Sequence, residues 1–265
     1  SLSSQEVMIP AFLAAYSGKK ASNIFLNPMP SLAYMQPNWR VTYDGLSKIK
    51  WVQKYFKSVD VSHAYRSVYT VGNYLTNTDW ESFRDGFSFI RDAQGNFVTK
   101  YQISGVSISE QFSPLIQINM TWNNSLTTRA EMKKSRILSL GLSNNQMIEN
   151  YSDEWVIGLG YRFDKMELIL GSKANAKKMS SDLNLRADIS IRDSYSIIRR
   201  IEERLNQMTA GQKIITLKMT ADYVLSSRFN VQVFYDRQMN SPYISSSYPI
   251  TNSSFGVSFR FSLTQ

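Results

Sequence analysis

The feature that most constrains this chain is alternation of apolar and polar residues with a period of two. Phe255, Val257, Phe259, Phe261 and Leu263 fall on one side of an extended segment, and Gly256, Ser258, Arg260, Ser262 and Thr264 on the other. A slip of one residue would carry every aromatic to the wrong side, so the register is strongly specified. Trp155, Ile157, Leu159, Tyr161 and Phe163 alternate in the same way with Val156, Gly158, Gly160 and Arg162. Leu183, Leu185, Ala187, Ile189 and Ile191 alternate with Asn184, Arg186, Asp188, Ser190 and Arg192. Leu217, Met219 and Tyr223 alternate with Lys218, Thr220 and Asp222, and Val231, Val233 and Tyr235 with Gln232, Phe234 and Asp236. Ile116, Ile118, Met120 and Trp122 form a further apolar face.

The spacing predicts about ten strands, near 39–45, 57–71, 101–112, 115–122, 126–142, 154–163, 183–200, 212–225, 229–239 and 253–263. Ser113-Pro114, Asn123-Asn124-Ser125 and Ser226-Ser227-Arg228 are expected tight turns, which enforce antiparallel hairpins. Segments 72–100 and 240–252 are expected long loops. Ile197 to Met208 is expected as strand followed by loop in preference to an amphipathic helix. Residues 1–35 carry Pro10, Pro28 and Pro30 and are expected to stand apart as a non-barrel segment, packed inside or beneath a barrel, with a short helix between Gln5 and Tyr16. Residues 36–265 are expected to be barrel strands.

Alternation alone is shared by soluble sandwiches. The polar side discriminates. It carries both signs in compact sets: Arg129, Glu131 and Lys133; Arg162; Arg186, Asp188 and Arg192; Lys218, Asp222, Asp236 and Arg260. Such sets suit a hydrated lumen. The opposite side, with Trp122, Trp155, Leu159, Leu217, Phe255, Phe259 and Phe261, suits lipid. An aromatic share of 13% fits interfacial girdles, and a mean hydropathy of −0.29 fits a barrel whose strands are half polar. The fold class expected is therefore all-β, an antiparallel transmembrane β-barrel in the bacterial outer membrane. In lipid every backbone group needs a partner, so the sheet must close or be completed by other strands.

Other classes find little support. No apolar run reaches the length of a membrane-spanning helix; the longest, Met8 to Tyr16, is broken by Pro10. Cysteine is absent, which removes disulfides and thiolate metal sites. Asp92 to Asn96 lacks most of a calcium-loop pattern and reads as a turn, so neither metal nor cofactor is expected. The net charge of +9 is spread without a basic helix or stripe, which argues against nucleic acid. His63 is the sole histidine; no nucleophile constellation accompanies it, and no enzymatic activity is expected. The first residues lack a basic and apolar leader, and the expectation is of a processed chain or part of a longer one.

Several stretches are more specific than generic barrel sequence: Ile9–Gly18 (IPAFLAAYSG), Pro37–Leu46 (PNWRVTYDGL), Ser62–Ser67 (SHAYRS), Ser181–Arg192 (SDLNLRADISIR), Thr220–Ser226 (TADYVLS), Val233–Asp236 (VFYD) and Asn252–Leu263 (NSSFGVSFRFSL). Through them the chain resembles, collinearly over nearly its whole length, the end of the SprA/Sov proteins, the outer-membrane translocon of the Bacteroidetes type IX secretion system. The resemblance implies a very large barrel of far more than ten strands, of which this would be the C-terminal part. It implies a pore that passes folded cargo proteins to the cell surface. The implied partners are the rest of the SprA/Sov barrel, a PorV-like barrel protein, a plug protein, cargo in transit and outer-membrane lipid. The alternatives are a stand-alone outer-membrane barrel acting as a pore or adhesin, and an outer-membrane hydrolase using His63.

Overall fold

The computed structural model describes residues 4–18, 20, 37–78, 80, 88–91, 93, 95, 97–170, 177–201, 203–226, 229–244 and 247–261. Helix α1 (Gln5–Ser17) is followed by β1 (Trp39–Tyr43), a 3-10 turn (Gly45–Lys48), the short α2 (Lys50–Gln53) and β2 (Phe56–Val71). Then come β3 (Tyr74–Thr76), β4 (Tyr101–Ile103), β5 (Gly105–Trp122), β6 (Leu126–Gly141), β7 (Gln146–Leu170) and β8 (Lys177–Arg200). The chain continues through β9 (Leu205–Ser226), β10 (Phe229–Pro242) and β11 (Ile250–Phe261).

The architecture is all-β and antiparallel. Nine strands form one sheet in the order β1-β2-β5-β6-β7-β8-β9-β10-β11, and β3 pairs with β4 apart from it. Beyond β2 the order follows the chain, as short hairpin connections dictate. The sheet is open among the described residues, with β1 and β11 at its edges. The expected turn at Asn123-Asn124-Ser125 is present, with Ser125 at φ 66°. A second turn of Leu142 to Asn145 closes β6 onto β7 at the other end of the sheet. We refer to these as the Asn123 end and the Asn144 end.

Several boundaries expected from the sequence are corrected; the strands expected at 183–200 and 212–225, for instance, begin at Lys177 and Leu205. Ser113-Pro114 is not a turn: both residues lie within β5, where pairing with β6 jumps from Phe112–Lys134 to Ile116–Met132. Proline cannot donate to a ladder, so a strand holds it at a bulge. The two strands expected at 101–112 and 115–122 are thus one long strand, preceded by the three-residue β4. The strand expected at 154–163 begins eight residues earlier, at Gln146. Its added part, Gln146 to Asp153, is largely polar on both faces and carries no alternation signal. At Ile197 to Met208 the chain is strand to Arg200, then turn, then β9 from Leu205.

Helix α1 runs one residue beyond the expected short helix. It ends at Gly18, which adopts the left-handed conformation (φ 66°) that glycine accepts without steric cost. Its buried residues Met8, Ile9 and Phe12 pack on Ile103, Val106, Ile108, Leu138 and Leu140 at the Asn144 end. The Gln5 carboxamide continues the edge of β4: its oxygen accepts from Ile103 N–H at 3.0 Å and its nitrogen donates to the Tyr101 carbonyl.

Candidate functional site

In an antiparallel sheet, paired residues share a face. The register therefore tests which side chains come together. Starting on β2, one row crossing the sheet reads Asp60, Asn119, Arg129, Gly158, Asp188, Lys218, Asp236 and Ser254. Charge alternates along it. Glu131, Lys133, Arg162, Arg186, Arg192, Asp222 and Arg260 lie on the same face, so every charged residue singled out by the alternation is on one side. We call this the charged face. Val156, Ile214 and Phe234 are among its apolar members in the same strands.

Several of these charges are neutralised locally. The Glu131 carboxylate is buried, 5% exposed, between Arg129 and Lys133 Nζ at 3.6 Å. Lys133 reaches across to Glu154 at 3.4 Å. Arg162 binds Asp164 at 3.0 Å and also Asp182. Asn119 donates to Asp60 at 2.7 Å. Each exposed pair contributes little stability, roughly 0–1 kcal/mol. Their effect is on the field: both signs are interleaved, so the face presents no large single-sign patch.

Glycine makes room for this packing. A side-chain carbon on Gly158 would collide with the Asp188 carboxylate, and one on Gly160 with the Thr127 hydroxyl. Near β11, one on Gly256 would sit 2.5 Å from Phe234 Cζ, because the ring covers that glycine. Gly158 and Gly160 lie on the side that the alternation gave them; Asp60, Asn119 and Glu154 join them on this face without having been singled out from the sequence.

The opposite, aromatic face carries Trp122, Trp155, Leu159, Leu217, Phe255, Phe259 and Phe261; Leu263 lies outside the described residues. Its band runs Ile116–Trp122 on β5, Trp155–Phe163 on β7, Leu183–Ile191 on β8 and Phe255–Phe261 on β11. On β7 it spans nine residues, roughly 26 Å along the strand. The band steps toward the Asn123 end from β5 to β11. Most of it is bare: Trp155, Leu159, Phe255, Phe259 and Phe261 are 54, 51, 71, 66 and 69% exposed. Leu217 is half-buried. Trp122 is also half-buried, with its ring 4.2 Å from Phe56 and its indole N–H donated to Thr128 at 3.1 Å. Removing such side chains from water stabilises by roughly 1.5–3 kcal/mol each, and here they remain uncovered.

Beyond the band, at the Asn144 end, the same face changes character. Helix α1 covers its apolar residues there. The segment packs on the aromatic face and not on the charged one. A polar network runs beside it. The Glu110 carboxylate takes Arg136 on one oxygen and the hydroxyls of Tyr16, at 2.9 Å, and Tyr65, at 3.1 Å, on the other. Burial, with the nearby Glu110, pushes the Tyr16 phenol well above its ordinary value. Glu149 takes Arg199 at 2.6 Å and Tyr151. Nothing in the sequence signals this network, because its members interrupt the apolar alternation.

His63 lies on the aromatic face, opposite Val41. Its Nδ1 donates to the Leu115 carbonyl at 2.6 Å, since a carbonyl oxygen can only accept. That carbonyl belongs to the bulge in β5. The ring also sits 6.2 Å from Trp39 and 6.0 Å from Phe112. Among the described residues no three acidic or histidine side chains are placed to hold a metal ion. Asp92 and Asn96 lie outside the described residues. Among the described residues no helix is long and apolar enough to cross a membrane.

No protein-family model matches the chain, and no curated protein matches its sequence.

Proposed function

We propose that this sheet is an arc of an outer-membrane β-barrel wall, with its aromatic face toward lipid and its charged face lining an aqueous pore. The observation that carries this reading is the contrast within one face. Where α1 covers it, apolar residues are buried; over the rest, a contiguous aromatic band of membrane-like height is bare. Patches of that size on a soluble monomer call for a partner. A lipid bilayer supplies one of matching chemistry, while the interleaved charges opposite favour water.

The open edges bear on the rest of the wall. Among the described residues, strands β1 and β11 each leave one side of their backbone unpaired in the sheet, which lipid does not tolerate. Further strands must complete them. Together with the sequence resemblance, this supports a share in a large protein-conducting translocon of the type IX kind, which passes folded cargo to the surface beside a PorV-like barrel and a plug protein. A lining of mixed sign and low net field suits cargo of varied charge. Deleting the gene is expected to hold cargo proteins in the periplasm. Normal surface delivery in the deletion strain would overturn the translocon reading and leave the barrel-wall reading standing. For the wall itself, a doxyl-labelled phospholipid is expected to broaden signals from Phe259 and Leu159 and to spare Asp222.

A further inference from the structure

The aromatic face is not uniformly convex. A trough of about 410 Å³ crosses β6 to β10, between a row containing Leu159, Ala187, Met219 and Tyr235 and a row containing Tyr161, Leu185, Ala221 and Val233. Its volume lies in the range of small-ligand sites. The two alanines make the depression: Ala187 pairs with Leu159 and Met219, and Ala221 with Leu185 and Val233, so small residues sit among large ones. The lining is apolar, so its occupant there is a hydrocarbon.

A second observation concerns Arg237. It lies two positions along β10 from Tyr235, on the same face, exposed, and paired with Leu217 and Ser253. Its diagonal neighbours on that face are Ile215, Met219, Thr251 and Phe255, none of them acidic. The nearest charges farther along are Lys213, and Asp193, which accepts the Tyr243 hydroxyl at 2.7 Å. Arg237 therefore stands where the band meets polar Ser253 and Thr251, with no carboxylate among the described residues in ion-pair contact with it. A guanidinium in that position matches a phosphate through paired N–H donors.

We infer that the trough and Arg237 form a site for one anionic glycerophospholipid, with an acyl chain over Ala187 and Ala221 and its phosphate on Arg237. The inference rests on the reading that this face meets lipid. One trough with one guanidinium beside it fits a two-chain phospholipid better than a multi-chain glycolipid.

Native mass spectrometry of the intact protein in detergent tests it, with phosphatidylglycerol, phosphatidylcholine and lipid A offered in turn. One phosphatidylglycerol is expected to be retained with roughly tenfold preference over phosphatidylcholine. Arg237→Gln should erase that preference, and Ala221→Phe, which fills the trough, should lower retention of both lipids. Equal retention, a preference indifferent to both variants, or tighter retention of lipid A would overturn the assignment. Quenching of Trp155 by brominated phosphatidylcholine in vesicles reads the underlying orientation separately. Its absence would mean that the face does not meet lipid at all.

Discussion

The Glu110 carboxylate is gripped by the Arg136 guanidinium through two N–H groups, Nε at 3.0 Å and Nη2 at 2.7 Å. Its other oxygen holds Tyr16, which ties α1 to the sheet. Glu110→Gln is expected to weaken this attachment by about 1–2 kcal/mol, a value reduced because Arg136 is partly exposed. Faster hydrogen exchange in Gln5–Ser17 with unchanged exchange in β8 and β9 would be the signature. Uniform loosening of the sheet would assign the pair a different role.

Phe234 covers Gly256, an aromatic side chain shielding a bare strand glycine. Gly256→Ala should cost about 1 kcal/mol, because the new methyl meets the ring and the ring must swing away. Phe234→Ala in the same background should relieve part of that cost. Urea unfolding midpoints of the two single variants and the double variant measure the coupling, and additive effects would contradict the contact.

The native chain has no cysteine, so single cysteines report without background. Cysteines at Leu159 and Phe259 are expected to resist a water-soluble maleimide in membranes and to react in detergent-free unfolded protein. Cysteines at Asp188 and Asp222 should react in both. The reverse pattern would invert the faces.

Glu131 is the buried anion between two cations. Glu131→Gln leaves Arg129 and Lys133 without that counter-charge and, if the charged face lines a pore as proposed, should raise its anion selectivity. Reversal potentials across a salt gradient, measured in planar bilayers, give the sign. A shift toward cations would exclude the residue from the lining.

His63→Leu removes the donor to Leu115 and should cost about 1 kcal/mol of stability, the net worth of one ordinary hydrogen bond. Secretion by surviving protein should be unchanged. Hydrolytic activity lost with this variant alone would revive a chemical role for the residue.

Face assignments were legible in the sequence because a period of two needs only local information, and hairpins then carry the faces from strand to strand. Arg186 and Asp188 could be placed on one face with Lys218 and Asp222 without knowledge of the register, which sets Asp188 opposite Lys218. Strand ends were less legible. Met147, Glu149 and Tyr151 share the aromatic face with Trp155, yet they lie beyond the band, where charge and tyrosine replace the apolar signal. Pro114 was ambiguous in a different way, since turns and bulges both favour proline. The attachment of α1 was not legible at all: the Tyr16–Glu110 bond joins residues 94 apart, and nothing local announces it.

The stepping of the apolar band along successive strands has a geometric consequence. The strands lie obliquely to the plane the band defines, so the wall advances like the thread of a screw. A strand joining the free side of β11 must begin its apolar run farther toward the Asn123 end than β7 does. The wall thereby dictates the phase of each new neighbour, and a strand arriving out of phase would leave its own aromatics stranded in water.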